Sequence, residues 1–354
     1  MNLQGCCDMT KKKMIGNILF LLLIFGLTFY GVFGGEDLKA LRESVGRADI
    51  RWLLPAVLCV LFFIWGESFI IHYLLRTLKV PLARWKCFLV SSVGFFFSCI
   101  TPSASGGQPM QIVYMKKENV PLPVSTLVLM IVTITYKLVL VLIGVYLPLF
   151  DRGFMEKYLK DILPVYWLGL GLNVACVGIL LLLVFHPMLM KRMLCVGCSL
   201  LARMGLMKNR KKWLEKLEHS MQLYRETAVY LKKHFPVILK VLFLTFLQRL
   251  SLFAVTWFVY RPFGLKGAGL YELLLLTAVI SVTVDMLPLP GGMGISEKLF
   301  LVIFAPVFGA ALLLPGMILS RGLSYYTELV LSALMTVGAH LLLVKKKKSR
   351  NGEC

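Results

Sequence analysis

Thr101-Pro-Ser-Ala-Ser-Gly-Gly-Gln-Pro109 and Leu287-Pro-Leu-Pro-Gly-Gly-Met-Gly-Ile-Ser-Glu297 are the two stretches that decide how this chain folds. Each interrupts apolar sequence with proline, which withholds an N–H, and with glycine, which admits left-handed backbone. Neither continues a helix. Their surroundings are unusually apolar: 58% of the 354 residues are hydrophobic and 16% charged, against about 45–50% and about 25% in a soluble domain. That is the composition of a polytopic membrane protein, and it excludes a disordered chain, a collagen-like fibre and a small disulfide scaffold. Non-helical backbone at membrane depth survives only where protein buries it or where it lines a wet cavity.

Outward from the two breaks, apolar segments run near 14–35, 52–75, 87–100, 124–150, 164–187, 237–260, 270–287, 299–314 and 317–344. About 20 helical residues cross the hydrocarbon core, so 87–100 and 299–314 are short for a crossing. Basic residues set the sides, because Lys and Arg concentrate in cytoplasmic loops. The chain has 39 Lys+Arg against 18 Asp+Glu, a formal +21. Lys11–Lys13 precede the first span, which no cleavage site follows. Arg76, Lys79, Arg84 and Lys86, then Lys116 and Lys117, the stretch 188–236 and Lys345–Lys348 all fall on the cytoplasmic side if each break turns a re-entrant hairpin.

The expectation is an all-α polytopic membrane protein with about six full transmembrane helices and two opposed re-entrant helical hairpins. One membrane domain fills 1–354: an N-terminal span at 10–35, a first repeat at 50–150, a basic loop at 188–236, a second repeat at 237–344 and a basic tail at 345–354. Both termini are cytoplasmic. Gly106 and Gly291 are 185 residues apart, and that offset also carries Arg76 onto Arg261 and segment 52–75 onto 237–260. Opposed halves of this kind are inverted repeats, an arrangement found in secondary transporters. In the basic loop, Leu214, Leu217, Met221, Tyr224, Ala228 and Leu231 form one helical stripe. Such a helix either lies on anionic lipid or packs on its neighbours.

The breaks carry candidate binding groups: Ser103, Ser105, Gln108 and Gln111 for polar contacts, and Gly106, Gly107, Gly291, Gly292 and Gly294 for close backbone approach. A helix starting after each break offers free N–H groups to an anion. Inside the spans lie Glu67, Lys137, Arg249, Asp285, Arg321 and Glu328, with Glu297 at the rim of the second break. Intramembrane charges pair with each other or face a cavity. Arg321 and Glu328, seven apart, share a helix face with Tyr325 between them. A ligand bearing phosphate and ammonium suits the mixture: Lys137, Arg249 or Arg321 for the anion, Glu67, Asp285, Glu297 or Glu328 for the cation. No P-loop, GxSxG, HExxH or dinucleotide fingerprint occurs. Cys195 and Cys198 form one C-x-x-C without a second pair, so no metal or other cofactor is expected.

Pro-Ser-Ala-Ser-Gly-Gly-Gln-Pro at 102–109 and Leu-Pro-Leu-Pro-Gly-Gly-Met-Gly-Ile-Ser-Glu at 287–297, with their spacing, resemble the lysylphosphatidylglycerol synthase transmembrane family. This is the flippase-like membrane domain of the bacterial multiple peptide resistance factor, and the likeness covers roughly 10–345. It implies a multi-pass protein of the bacterial plasma membrane. Its implied activity is to flip lysyl-phosphatidylglycerol, or another anionic or aminoacylated phospholipid, and so confer resistance to cationic peptides. Pro102, Ser105, Gly106, Gly107, Pro290, Gly291, Gly292, Gly294 and Glu297 are the positions it marks. The tail Lys345–Cys354 is too short for the aminoacyl-transferase domain of the resistance factor. A phosphatidylglycerol lysyltransferase label therefore does not make this chain an enzyme, and a separate transferase chain is an implied partner. The expected partners are the phospholipid and an anionic membrane surface, not nucleic acid; a homo-oligomer is left open. Two alternatives stand: a membrane component of aminoacyl-lipid synthesis, and a transporter of another lipid-linked anion.

Overall fold

The computed structural model of the protein describes residues 50–186, 188–193, 195–196 and 210–338. The expected N-terminal span at 10–35, the middle of the basic loop and the tail at 345–354 lie outside the described residues. The helices are α1 (Ile50–Thr77), α2 (Arg84–Cys99), α3 (Gly107–Lys117), α4 (Leu122–Phe150), α5 (Arg152–Tyr158), α6 (Leu163–Phe185), α7 (Arg210–Lys233), α8 (Phe235–Tyr260), α9 (Leu270–Val284), α10 (Ile295–Ile303) and α11 (Ala305–Arg321). Residues 188–193 are also helical, and α11 continues through a π-helical turn at Gly322–Tyr326 to residue 338.

The protein is an all-α polytopic membrane protein. Among the described residues, five helices are long and apolar enough to cross a membrane: Arg51–Thr77, Leu122–Phe150, Lys160–Phe185, Phe235–Phe263 and Ala305–Gly338. Proline stands in the first turn of α4, α6, α8 and α11, where its missing N–H costs no helical bond and its fixed φ suits the helix. On α1, Leu54, Leu58, Phe62, Trp65 and Phe69 are exposed along one side. That stripe suits hydrocarbon rather than water.

α2 and α3 form a hairpin that leaves and returns at one end, because Lys86 Nζ reaches Glu118 Oε2 at 2.6 Å. Its limbs pack backbone to backbone: a Cβ on Gly107 would lie 2.7 Å from the Gly94 carbonyl oxygen. α9 and α10 form the second hairpin. Its two ends meet where the Tyr260 and Phe263 rings contact Phe308 at 5.3 and 6.4 Å. This hairpin closes at Ile303 and not near 314, since Pro306 starts α11 inside an apolar run that hydropathy cannot divide.

The halves are inverted. α1 and α8 run antiparallel, with Trp52 against Trp257, the Cys59 carbonyl against Ser251, and the Phe63 carbonyl accepting from Gln248 Nε2 at 2.8 Å. Phe63 and Gln248 are 185 apart, so each touches its own counterpart at a pseudo-two-fold axis. Beyond the breaks the offset becomes 188. Thr101 and Leu289 are both extended, at φ −121° and −120°, and Ser103 and Gly291 are both left-handed, at φ 51° and 56°. Three extra residues between Val284 and Pro290 account for the change. The counterpart of Gly291 is therefore Ser103, and that of Gly106 is Gly294.

Two elements differ from the expectation. Asp151 Oδ1 accepts from Phe154 N at 3.1 Å and starts α5, a short helix between the apolar segments 124–150 and 164–187. On α7, Met221, Tyr224, Ala228 and Leu231 are buried, and Tyr224 Oη donates to the Leu183 carbonyl at 3.2 Å. This part of the stripe packs on α4 and α6, so protein rather than lipid covers it. The side chains of Leu214 and Leu217 lie outside the described ones.

α6 meets α9 at Gly169, where a Cβ would sit 2.6 Å from the Thr283 Cα and carbonyl oxygen. Backbone cannot swing aside as a side chain does. Gly169→Ala should cost about 1–3 kcal/mol as an overpacked contact, seen as a lower melting temperature in detergent. Gly178→Ala, on the same helix facing open space, should leave melting unchanged.

Candidate functional site

A helix interrupted at membrane depth leaves peptide groups that lipid cannot satisfy, and each break answers this locally. At the first, Thr101 Oγ1 donates to the Phe97 carbonyl at 2.6 Å and accepts from Gly106 N at 2.9 Å. At the second, Glu297 Oε2 accepts from Gly294 N at 2.7 Å, and Arg321 Nη2 donates to the Gly291 carbonyl at 3.0 Å. The two tips touch: Ser103 Oγ donates to the Leu287 carbonyl at 3.2 Å. A Cβ on Gly291 would run into the Tyr325 ring, so the positive φ and the close approach both require glycine there.

Around the joined tips lies a cavity of about 310 Å³. Of the expected site residues, Glu67, Ser103, Gln108, Lys137, Arg249, Asp285, Gly291, Gly292, Arg321 and Glu328 line it. Pro102, Ser105, Gly106, Gly107, Pro290, Gly294 and Glu297 do not line it; they shape the turns that hold it. Cys99, Thr133, Tyr136 and Ser281, to which no sequence pattern points, also face the space. In an apolar helix these residue types are ordinary, and only the fold brings them together.

The charges divide into satisfied and unsatisfied groups. Lys137 Nζ pairs with Asp285 across the repeats and also reaches Met286 Sδ at 3.0 Å. Arg321 Nε pairs with Glu297 Oε1 at 2.8 Å. Glu297 therefore occupies the N–H position that the sequence offered to an external anion. Arg321 and Glu328 are not partners: the π-helical turn lies between them, and Glu328 Oε1 instead takes the Cys99 thiol at 3.7 Å.

Arg249 stands apart. It is 2% exposed, lies one residue from the two-fold contact of Gln248, and stacks 4.0 Å over the Tyr136 ring, whose hydroxyl takes Nη1. Its Nε and Nη2 have no hydrogen-bond partner. Among the described residues, no carboxylate lies within ion-pair distance of it. Stacking on an aromatic face returns about 2 kcal/mol or more for a desolvated cation, which falls short of the several kcal/mol that desolvating an ion costs. Two carboxylates on the same cavity are also without a cation. Glu67 accepts from Gln111 Nε2 at 2.6 Å, and Glu328 has only the thiol. One open guanidinium and two open carboxylates can hold an anion and a cation together. Among the described residues, no cluster of three or more His, Cys, Asp or Glu would hold a metal.

A comparison with curated proteins finds no match to the chain. The family described as the lysylphosphatidylglycerol synthase TM region matches residues 14–332, nearly the whole length and both hairpins. The chain belongs to the lysylphosphatidylglycerol synthase transmembrane family.

Proposed function

We propose that the protein moves an anionic or aminoacylated phospholipid, lysyl-phosphatidylglycerol above all, between the leaflets of a bacterial plasma membrane. Family membership supports a membrane role in lysyl-phosphatidylglycerol metabolism or transport. The observation that carries the finer reading is Arg249, a buried guanidinium with two nitrogens unpartnered on a polar cavity at the centre of inverted repeats. A phosphate seated there supplies the missing acceptors, and an aminoacyl ammonium finds Glu67 or Glu328. The acyl chains stay in hydrocarbon while the head crosses.

Liposomes carrying the protein and fluorescent phosphatidylglycerol or its lysyl derivative test this through quencher accessibility over time. Movement faster than in protein-free liposomes is expected, and equal rates would overturn the reading. Arg249→Ala should slow both lipids about tenfold or more, the loss of a charge-assisted bond, while the protein still elutes as a folded species. Glu328→Gln should slow the lysyl lipid more than phosphatidylglycerol, because only the former brings a cation. The separate rates for the two lipids check this.

The word "synthase" in the family's description favours a second reading, in which the chain presents phosphatidylglycerol to an aminoacyl-transferase. Lipid extracts decide between them. Loss of total lysyl-phosphatidylglycerol without the protein points to synthesis; an unchanged total with less in the outer leaflet points to flipping.

A further inference from the structure

Past the breaks the repeats align at an offset of 188. α4 starts at Leu122, and α11 resumes regular helix at residue 310 after Gly309, whose φ is 70°. On that count Lys137 of α4 and Tyr325 of α11 are counterparts, although their side chains have nothing in common. Each reaches across to the other repeat's hairpin and lands at the same place, the C-terminal end of its first limb. Lys137 holds Asp285, the residue that follows α9. Tyr325 Oη donates at 3.0 Å to the carbonyl of Cys99, the last residue of α2. All four residues line the cavity.

We infer that Lys137 and Tyr325 are symmetry-related latches, each holding the tip of the opposite hairpin, and that releasing one or the other opens the central cavity to one face or the other. The hairpins are built to pivot in this way. Their bases are fixed, the first by Lys86 with Glu118 and the second by the Tyr260, Phe263 and Phe308 rings. Their tips are proline and glycine turns tied to the rest of the molecule by a few polar contacts. The latches also differ in strength. One is an ion pair in a low-dielectric interior and the other a neutral hydrogen bond, so the first hairpin releases more readily than the second. The purpose of the latches rests on the translocation reading, whereas their existence does not, and the test below reads accessibility rather than lipid movement.

The chain has nine cysteines. In a full-length chain that keeps only Cys99, a membrane-impermeant charged maleimide is applied to one face at a time of sealed vesicles of known orientation. Tyr325→Phe keeps the ring and removes the hydroxyl. It should raise Cys99 labelling about fivefold, the population change of one lost hydrogen bond, and from one face only. In a chain with all native cysteines replaced and Ser281→Cys on α9 as reporter, Lys137→Met should raise labelling about a hundredfold or more, as loss of a buried ion-pair partner does, from the opposite face. The exchange Lys137→Asp with Asp285→Lys should restore the parent rate, and Asp285→Asn serves as the second variant if Lys137→Met does not fold. Flat labelling in both chains, or both reporters opening to the same face, overturns the inference. Opposite-face labelling without any lipid movement upholds the latches and removes the translocation reading. Lipid movement with flat labelling does the reverse.

Discussion

Peptide groups released from a helix in the middle of a membrane must find partners within the protein, since hydrocarbon supplies none. Two helices are broken here, and the rest of the architecture follows from satisfying them. Thr101 closes one break upon itself, Glu297 and Arg321 close the other, and Ser103 joins the two tips. Each solution needs a polar or charged side chain at a depth where lipid would expel it, so both tips must be wrapped by α1, α4, α8 and α11. The inverted repeat makes this economical. One broken hairpin, duplicated and turned over, places both tips at the same depth and lets each help to bury the other.

Satisfying the backbone also sorts the charges. Glu297 and Arg321 are consumed by the second break, and Lys137 and Asp285 by each other. Breaking such a pair by removing one partner costs about 3–5 kcal/mol because a buried charge is left behind. These four therefore behave as structure. Arg249 is the exception. It already stands in the condition that a broken pair would create, and it does so in the undisturbed fold, with aromatic faces as partial compensation. A fold that elsewhere satisfies every broken turn does not leave a guanidinium open for stability's sake. That open guanidinium is the feature on which the proposed head-group reading rests.

The spans were legible in the sequence because hydrocarbon imposes composition and length directly, and the hairpins because proline and glycine cannot be hidden inside a helix. The exact match between repeats was not legible. Gly106 and Gly291 look equivalent as letters, yet the left-handed position of the first break is held by Ser103, and three residues inserted after Val284 shift the count. Letters report which residues tolerate a conformation, and here two different residues adopt one. Charge pairing was equally out of reach. Lys137 and Asp285 are 148 residues apart, and Arg321 turns away from Glu328 because a π-helical turn intervenes. Tyr136 and Cys99 gave no signal at all, being unremarkable until the fold sets them against Arg249 and Glu328.

The asymmetry between the halves then has a physical consequence. Perfect two-fold repeats would give both faces of the cavity equal access, with no preference for either. Here the counterparts Lys137 and Tyr325 hold opposite hairpins by interactions of unequal strength, and only the second break carries a salt-bridged carboxylate. On the proposed latches the second hairpin is the more firmly held of the two. The three unpaired charges differ in the same way: Arg249 bonds to Tyr136 of α4, whereas Glu67 accepts from Gln111 of α3 and Glu328 from Cys99 at the end of α2. On the translocation proposed above, the guanidinium therefore stays with the long helices, while both carboxylates are coupled to the position of the first hairpin.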